Sequence, residues 1–179
     1  MAKLDRRVAR TRSALVAAFN HLMLVRRQRH IKVDDIVAEA DVGRSTFYEH
    51  FASADALMLQ AMRTPMAPLA DAAAGAGDLA RVTWVLEHFW ENRQRARELL
   101  GRMDAQVVRV LAEMVAERLE ARGAALTIPL PIAARQLADA ALGPVRSWLM
   151  AEAPCTPAVL AEAICRAGTA LTSALQPAE

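Results

Sequence analysis

The sequence predicts an all-α fold, and three observations on its 179 residues support this. Alanine, the residue with the highest helix propensity, occurs 39 times. Aromatic residues, which favour strands, make up only 4% of the chain. Apolar residues recur at intervals of three and four, which is the spacing of amphipathic helices. We therefore expect a small N-terminal head of three helices, followed by a larger C-terminal helical bundle.

The head is predicted to consist of one long and two short helices. The first runs from about Asp5 to Val25, and the second, Val33 to Ala40, opens with two aspartates that suit the positive end of a helix dipole. The turn Ala40-Asp41-Val42-Gly43 leads into the third, Arg44 to Phe51. This is the helix-turn-helix plan, although a tight hairpin in an ordinary bundle has the same pattern. The inward residues of the first helix are Leu4, Val8, Leu15, Phe19 and Leu22.

The second set of helices follows a predicted boundary. Ser53 is the expected cap of a helix that Pro65 and Pro68 limit or bend, and we place the linker there. The predicted domains are therefore residues 1–52 and 53–179. Asp78 is expected to cap the next helix. Three more helices complete the chain: Met103–Arg122, stopped by Gly123; Ile132–Met150, kinked at Gly143-Pro144; and one capped by Thr156 and opened by Pro157.

Charge is distributed unevenly along the chain. Residues 1–32 contain nine basic side chains and one acidic one, whereas residues 64–179 contain 11 basic and 13 acidic ones. A basic head on a nearly neutral body is typical of a module that binds a polyanion. A solvated helix face gives a milder version of the same asymmetry.

The segment from Asp35 to Phe51, DIVAEADVGRSTFYEHF, resembles the helix-turn-helix of the TetR/AcrR transcription regulators. Arg10-Thr11-Arg12 and Ala17-Ala18 before it and Ser53 after it extend the resemblance to about residues 6–60. The resemblance implies a cytoplasmic homodimer, expected to be a repressor, which binds a palindromic operator in double-stranded DNA. The rival hypothesis is a helical module of the same fold that binds DNA or protein without a small-molecule effector.

Helical geometry separates two sides of the predicted recognition helix. If Phe47 faces inward, Phe51 lies about 40° away from it around the axis, and Ser45 and Glu49 lie about 160° away. Arg44 and Ser45, at the N-terminus, are the candidates for base readout, because arginine can hold guanine bidentately and serine can pair with several bases. Glu49 either accepts from a cytosine amino group or keeps a charged edge in water.

Contacts with the DNA backbone follow from the resemblance and from hydrogen-bond donors at the matching positions. The chain departs from the family pattern at two positions, so more of the contacts with phosphate are expected to come from the first helix. Ala54 stands where many family members have a lysine that contacts the DNA backbone. Asp34 stands where some members have a basic residue that contacts bases. Lys3, Arg6 and Arg7 either reach phosphate on a mobile N-terminal arm or are only solvated surface charge. The other candidates are Lys32, which cannot cap the second helix, and Thr46, Tyr48 and His50, of which the last two are also compatible with partial burial.

Enzymatic and metal sites lack their sequence signatures. There is no HExxH, GxSxG or Walker motif, and no histidine follows a glutamate by three residues. Cys155 and Cys165 form no zinc pattern and are expected to be free thiols. We therefore predict no catalytic residue, metal or cofactor. No apolar stretch is long enough to span a membrane and no secretory signal is apparent, so we expect a cytoplasmic protein without a membrane partner.

The second region is predicted to bind a ligand and a second subunit. Large apolar and soft side chains with one polar group suit a small apolar or weakly polar effector, although they equally suit plain core. These candidates are Trp84, His88, Met103, Val107 and Met114. The last two helices carry an apolar seam that we expect to form the dimer interface. Its members are Leu137, Trp148, Leu160, Ile164, Ala167 and Leu171.

Overall fold

The structure, a computed structural model, describes residues 2–26 and 31–177, with residues 2–5, 24 and 25 described by their backbone alone. These ranges contain helices, turns and loops but no strand, which confirms the predicted all-α fold. The chain divides into two compact units, Met1–Met62 and Arg63–Glu179. No helix in the described part of the chain is long and apolar enough to cross a membrane.

The first unit contains the predicted helices. Helix α1 spans Ala2–Asn20 and continues as a π-helical turn, His21–Val25. Helix α2, Val33–Ala40, has the predicted bounds, and α3 spans Arg44–His50, because Phe51 is already extended (φ −140°, ψ 131°). Helix α4, Ala54–Ala73, begins where the N–H of Ala56 donates to Ser53 Oγ at 3.1 Å. It contains the boundary between the two units.

The core of the first unit is assembled from all its helices. Two expectations for α1 need correction. Val8, predicted to face inward, is 43% exposed, and no side chain from residue 6 to residue 14 is buried. The backbone around Lys3 and Arg7 is part of the helix rather than an arm, and the predicted inward position of Leu4 lies outside the described side chains. The buried residues of this core are Leu15, Phe19, Leu22, Ile36, Val37, Phe47, Phe51, Leu57 and Ala61.

The second unit contains the end of α4 and four further helices: α5 (Leu79–Glu91), α6 (Arg93–Ala121), α7 (Leu130–Leu149) and α8 (Pro157–Ala174). The predicted caps are confirmed. Asp78 accepts from the N–H of Arg81 at 3.1 Å, and Thr156 accepts from the N–H of Val159 at 3.3 Å. Gly123 follows α6 with a positive φ of 61°, a conformation that few other residues adopt readily.

Two boundaries in this unit differ from the prediction. Pro65 and Pro68 lie inside α4, which continues past both of them. Helix α6 begins at Arg93, ten residues before the predicted start at Met103. The backbone of Met103 is distorted (φ −132°, ψ 25°), so the break that the sequence indicates is a kink within a longer helix.

Gly168 allows an unusually close contact between α8 and the end of α4. A Cβ atom at this position would lie 1.9 Å from the carbonyl oxygen of Ala72. Backbone cannot yield to a side chain at that distance, so only glycine fits here. Nearby, Thr172 Oγ1 donates to the carbonyl of Ala73 at 3.4 Å and ties the same two segments together.

Candidate nucleic-acid interface

The turn between α2 and α3 has the conformation that its residues favour. Asp41 is left-handed (φ 51°, ψ 51°), which aspartate tolerates better than most residues. The N–H of Val42 donates to the carbonyl of Val37 at 3.1 Å and closes the end of α2. Gly43 is extended, and its carbonyl accepts from the N–H of Phe47 at 3.1 Å, which begins α3. The two short helices therefore form the predicted helix-turn-helix.

Helix α3 has one buried side and one exposed side. Phe47 and Phe51 are 0% and 5% exposed, and their ring centroids lie 6.0 Å apart. Arg44, Ser45 and Glu49 are exposed. The inward and outward positions predicted from the helical repeat are thus confirmed. A polar face on a helix anchored by two aromatic rings is a surface that another molecule can contact.

The predicted backbone-contacting residues differ in accessibility. Tyr48 is 54% exposed, and its ring meets that of Phe47 edge-on at 5.4 Å. Thr46 and His50 are half-buried, and Lys32 is exposed. As expected, the Lys32 side chain does not cap α2; its backbone N–H instead donates to Asp35 Oδ2 at 2.8 Å. Contacts of these residues with DNA stay a prediction.

An ion pair that the sequence did not predict joins the first turns of α2 and α3. Arg44 Nε lies 3.3 Å from Asp34 Oδ1, and their side chains are 62% and 64% exposed. In the sequence, Asp34 stands out as one of the two aspartates that open α2 and as a departure from the family pattern, but not as a partner of Arg44. The signal that could have revealed the pair is opposite charge at the two helix starts, which a tight helix-turn-helix brings together.

Helix α1 contributes both exposed basic side chains and contacts that hold the unit together. Arg7 and Arg10 are exposed. The guanidinium of Arg12 lies over the Phe51 ring, 4.8 Å from its centroid, and its Nη2 donates to Gln60 Oε1 at 3.4 Å. These contacts tie α1 to the end of α3 and to α4.

At the other end of α1, the π-helical turn is joined to α2 through one carboxylate. Glu39 lies 2.8 Å from His21 Nδ1 and 3.0 Å from Arg26 Nη2. Both helices of the helix-turn-helix are therefore braced: α2 through Glu39 against the π-helical turn, and the end of α3 through Phe51 against α1.

The predicted ligand-binding residues in the second unit are not gathered around one described cavity. Trp84 is 61% exposed and stacks on His88, with ring centroids 6.0 Å apart and planes at 11°. Met103, Val107 and Met114 are buried. An open cleft of about 330 Å³ includes only Trp84 of these five in its lining. The cleft is lined by Thr64, Pro65, Pro68, Ala80, Arg81 and Trp84.

The predicted dimer seam is largely internal core. Leu137, Trp148, Leu160 and Ile164 are between 1% and 7% exposed in a single chain. The Trp148 ring stacks on Trp90 with centroids 4.7 Å apart, and its Nε1 donates to the carbonyl of Cys155 at 2.8 Å. Side chains that are buried within their own chain cannot contact a partner subunit. The prediction that these four residues form the dimer interface is therefore corrected: they are internal core. Of the six, Ala167 is exposed and Leu171 is half-buried.

The thiols and acidic side chains are the remaining groups that could react or bind a metal. Within the described ranges, no three His, Cys, Asp or Glu side chains are grouped so as to hold a metal ion. Burial, and secondarily the Asp78 carboxylate, raises the pKa of the Cys165 thiol. Since the thiolate is the nucleophilic form, this thiol is a poor nucleophile at neutral pH.

Comparison with known proteins gives distant likenesses. Neither a protein-family model nor a curated protein sequence matches the chain. The dihydroxyacetone kinase operon activator DhaS is 18% identical with a TM-score of 0.47, over 93% of this chain and 98% of that one. A TetR transcriptional regulator from Streptococcus agalactiae 2603V is 22% identical with a TM-score of 0.47, over 94% and 99%. Because the likenesses are so distant, we transfer no functional property from these structures to this chain.

Proposed function

We propose that this chain is a sequence-specific DNA-binding transcription regulator of the TetR/AcrR type, with the DNA-binding domain in residues 1–52. The observation that carries the proposal is helix α3, which follows a left-handed turn and presents a polar face opposite two buried phenylalanines. A helix held in this way can enter the major groove with its N-terminal residues toward the bases. The sequence resemblance over Asp35 to Phe51 supports the same assignment.

The proposed contacts divide into base readout and backbone positioning. Arg44 and Ser45 read base edges, and Glu49, about one turn further along the exposed face of α3, accepts a hydrogen bond from a cytosine amino group. Tyr48, Thr46, His50 and Lys32 donate to phosphate together with exposed arginines of α1. This division matters because base contacts determine which sequence is bound, whereas phosphate contacts determine how tightly any duplex is held.

A randomised DNA pool provides the test of this function. We expect the chain to enrich a palindromic sequence whose half-sites are about 34 Å apart, one helical turn. Arg44→Ala should weaken binding to that sequence by about 1–3 kcal/mol while leaving binding to random DNA nearly intact. Equal loss on both duplexes would contradict base readout by Arg44. Failure to enrich any sequence would exclude specific DNA recognition.

We propose that the regulator is a homodimer that uses the exposed face of α8 in residues 53–179. This face carries small apolar residues at intervals of three and four, Ala163, Ala167, Ala170 and Ala174, preceded by Val159, which is 60% exposed. Small side chains let two helices pack closely. Ala167→Glu should shift the protein to monomers in sedimentation and abolish palindrome binding. Ala105→Glu on the exposed surface of α6 is the matched control. Unchanged sedimentation of Ala167→Glu would place the interface elsewhere.

We propose that an apolar or weakly polar effector binds beside Trp84 and acts as an inducer of a repressor. The support is the cleft between α4 and α5, in which an exposed indole stacked on His88 offers a flat apolar surface. Such an effector must bind more weakly to the operator complex, because binding couplings are reciprocal. A coupling of about 100-fold corresponds to about 2.7 kcal/mol.

Tryptophan fluorescence provides the test of the effector. Trp84 is exposed, whereas Trp90 and Trp148 stack on each other, so Trp84→Phe removes the reporter at the cleft. Hydrophobic compounds should quench the wild type but not Trp84→Phe, and operator DNA should weaken that quenching. Compounds that bind equally with and without DNA would favour the rival, a helical interaction module without an effector.

A further inference from the structure

The surroundings of Arg44 indicate how its guanidinium is held before DNA arrives. Its Nε lies 3.3 Å from Asp34 Oδ1, across the turn of the helix-turn-helix. A guanidinium has two edges that can each form a pair of parallel hydrogen bonds, one of which consists of Nη1 and Nη2. An ion pair through Nε leaves that terminal edge for the O6 and N7 acceptors of guanine.

The two acidic residues at the start of α2 have different partners. Asp35 accepts from the backbone N–H of Lys32 at 2.8 Å and so completes the N-terminus of the helix. Asp34, in the same first turn, lies beside Arg44 instead. Its carboxylate is itself favoured there by the helix dipole. The result is a fixed negative charge next to the residue proposed to read the base.

This placement is unexpected if the face serves only to attract DNA. A carboxylate on the exposed surface repels phosphate, and an ion pair in which both side chains are more than 60% exposed adds little to stability. An ordered arginine, in contrast, loses less rotamer freedom on binding. A carboxylate 3.3 Å from Nε also competes with phosphate for the guanidinium.

We infer that Asp34 is a positioning residue that determines sequence specificity through Arg44. This inference rests on the proposed function. It predicts two opposite effects of Asp34. The carboxylate lowers the affinity for DNA of any sequence, and it raises the preference for the selected sequence over random DNA. The class of ligand concerned is a duplex with guanine at the base step that α3 reads.

The test compares binding to the selected duplex with binding to random duplex of the same length, over a series of salt concentrations. Asp34→Asn should lower the ratio of the two affinities about three- to tenfold. Binding to random duplex should strengthen about twofold, and the salt dependence should steepen by up to about one counterion, because Arg44 can now pair with phosphate. Asp34→Glu, which keeps the negative charge, should have a ratio of the two affinities close to that of the wild type.

Two controls separate positioning from charge and from folding. Asp41→Asn removes an equal charge from the exposed turn, where asparagine also tolerates the left-handed conformation, and it should strengthen both affinities equally. In an Arg44→Ala background, Asp34→Asn should leave the ratio unchanged, since its effect passes through Arg44. Thermal unfolding of each variant reports any structural damage separately.

The outcomes distinguish the inference from the function on which it rests. If the wild type prefers its selected duplex and Asp34→Asn has the same ratio, or lowers it equally in the Arg44→Ala background, the positioning role is overturned and the proposed function stands. If the wild type shows no preference for any duplex, the proposed function fails and the inference fails with it.

Discussion

Arginine is the main basic residue of both units, but its surroundings in Met1–Met62 differ from those in Arg63–Glu179. In the second unit, Arg118 Nε pairs with Asp71, its Nη1 donates to the carbonyl of Met114 at 2.8 Å, and its Nη2 donates to that of Ala67 at 3.3 Å. Arg122 donates to the carbonyl of Ala74, the residue that follows α4, at 2.8 Å. These side chains satisfy helix ends and acidic partners within the unit.

The first unit uses several of its arginines differently. Arg7 and Arg10 extend from α1 with exposed side chains, in a part of the helix that contributes nothing buried to the core. A cationic side chain that is not needed for packing costs little stability and remains available to a polyanion. The number of basic residues therefore says less about function than the partners that each of them has. Substitutions in each unit can test this contrast.

The close contact in the second unit should make Gly168 one of the least replaceable residues of the chain. Gly168→Ala should lower the free energy of unfolding by about 3 kcal/mol, because the new methyl group overlaps the Ala72 carbonyl. Gly143→Ala is the matched control, since a Cβ there meets nothing within 4 Å and alanine favours helix by about 1 kcal/mol. Chemical denaturation measures both. Equal stability of the two variants would show that α8 can move away from α4.

Arg118 tests the structural use of arginine. Arg118→Ala should lower the free energy of unfolding by about 2 kcal/mol, since it leaves Asp71 and two carbonyls without this donor. Arg81, 3.6 Å from Asp71, compensates in part. DNA affinity per folded molecule should not change. A loss of affinity at temperatures where the variant is fully folded would contradict a purely structural role.

Arg10 tests whether an exposed arginine of the first unit contacts DNA. Arg10→Ala should leave the free energy of unfolding within about 0.5 kcal/mol of the wild type, because the side chain is exposed. It should weaken binding to every duplex alike and reduce the salt slope by about 0.9. Arg109→Ala, which removes an exposed arginine from α6, is the control and should alter neither quantity. If both variants bind DNA equally well, Arg10 does not contact phosphate.

The contrast between the units also explains which features the sequence predicts well. In the first unit, short helices are delimited by strong local signals: two aspartates start α2, Asp41 and Gly43 form the turn, and Phe47 and Phe51 lie one helical turn apart. Local chemistry determines these features, so the predicted bounds of α2 and the two predicted sides of α3 agree with the structure.

The second unit is harder to predict because apolar periodicity does not identify the partner of a helix face. The periodicity of α8 assigns Ile164 to a subunit interface, yet this residue is buried within its own chain. The pattern looks the same in both cases. The exposure of Trp84 could have been predicted from the sequence. Val82 and Leu86 are both buried, and on the helical repeat Trp84 lies about 160° away from each of them. The large apolar indole suggests a pocket, whereas its position on the helix indicates exposure.

Tyr48 should give the smallest effect and the finest distinction between base and backbone contacts. Tyr48→Phe removes only the phenolic hydroxyl and keeps the ring against Phe47, so the free energy of unfolding should not change measurably. Binding to selected and random duplexes should weaken equally, by about 0.5–1.5 kcal/mol, because a phosphate donor is lost. Thr46→Val, at a half-buried position on the same helix, offers a second hydroxyl for comparison. A fresh selection from the randomised pool should return the wild-type sequence with Tyr48→Phe. A changed base preference would instead assign Tyr48 to the group that reads bases beside Arg44.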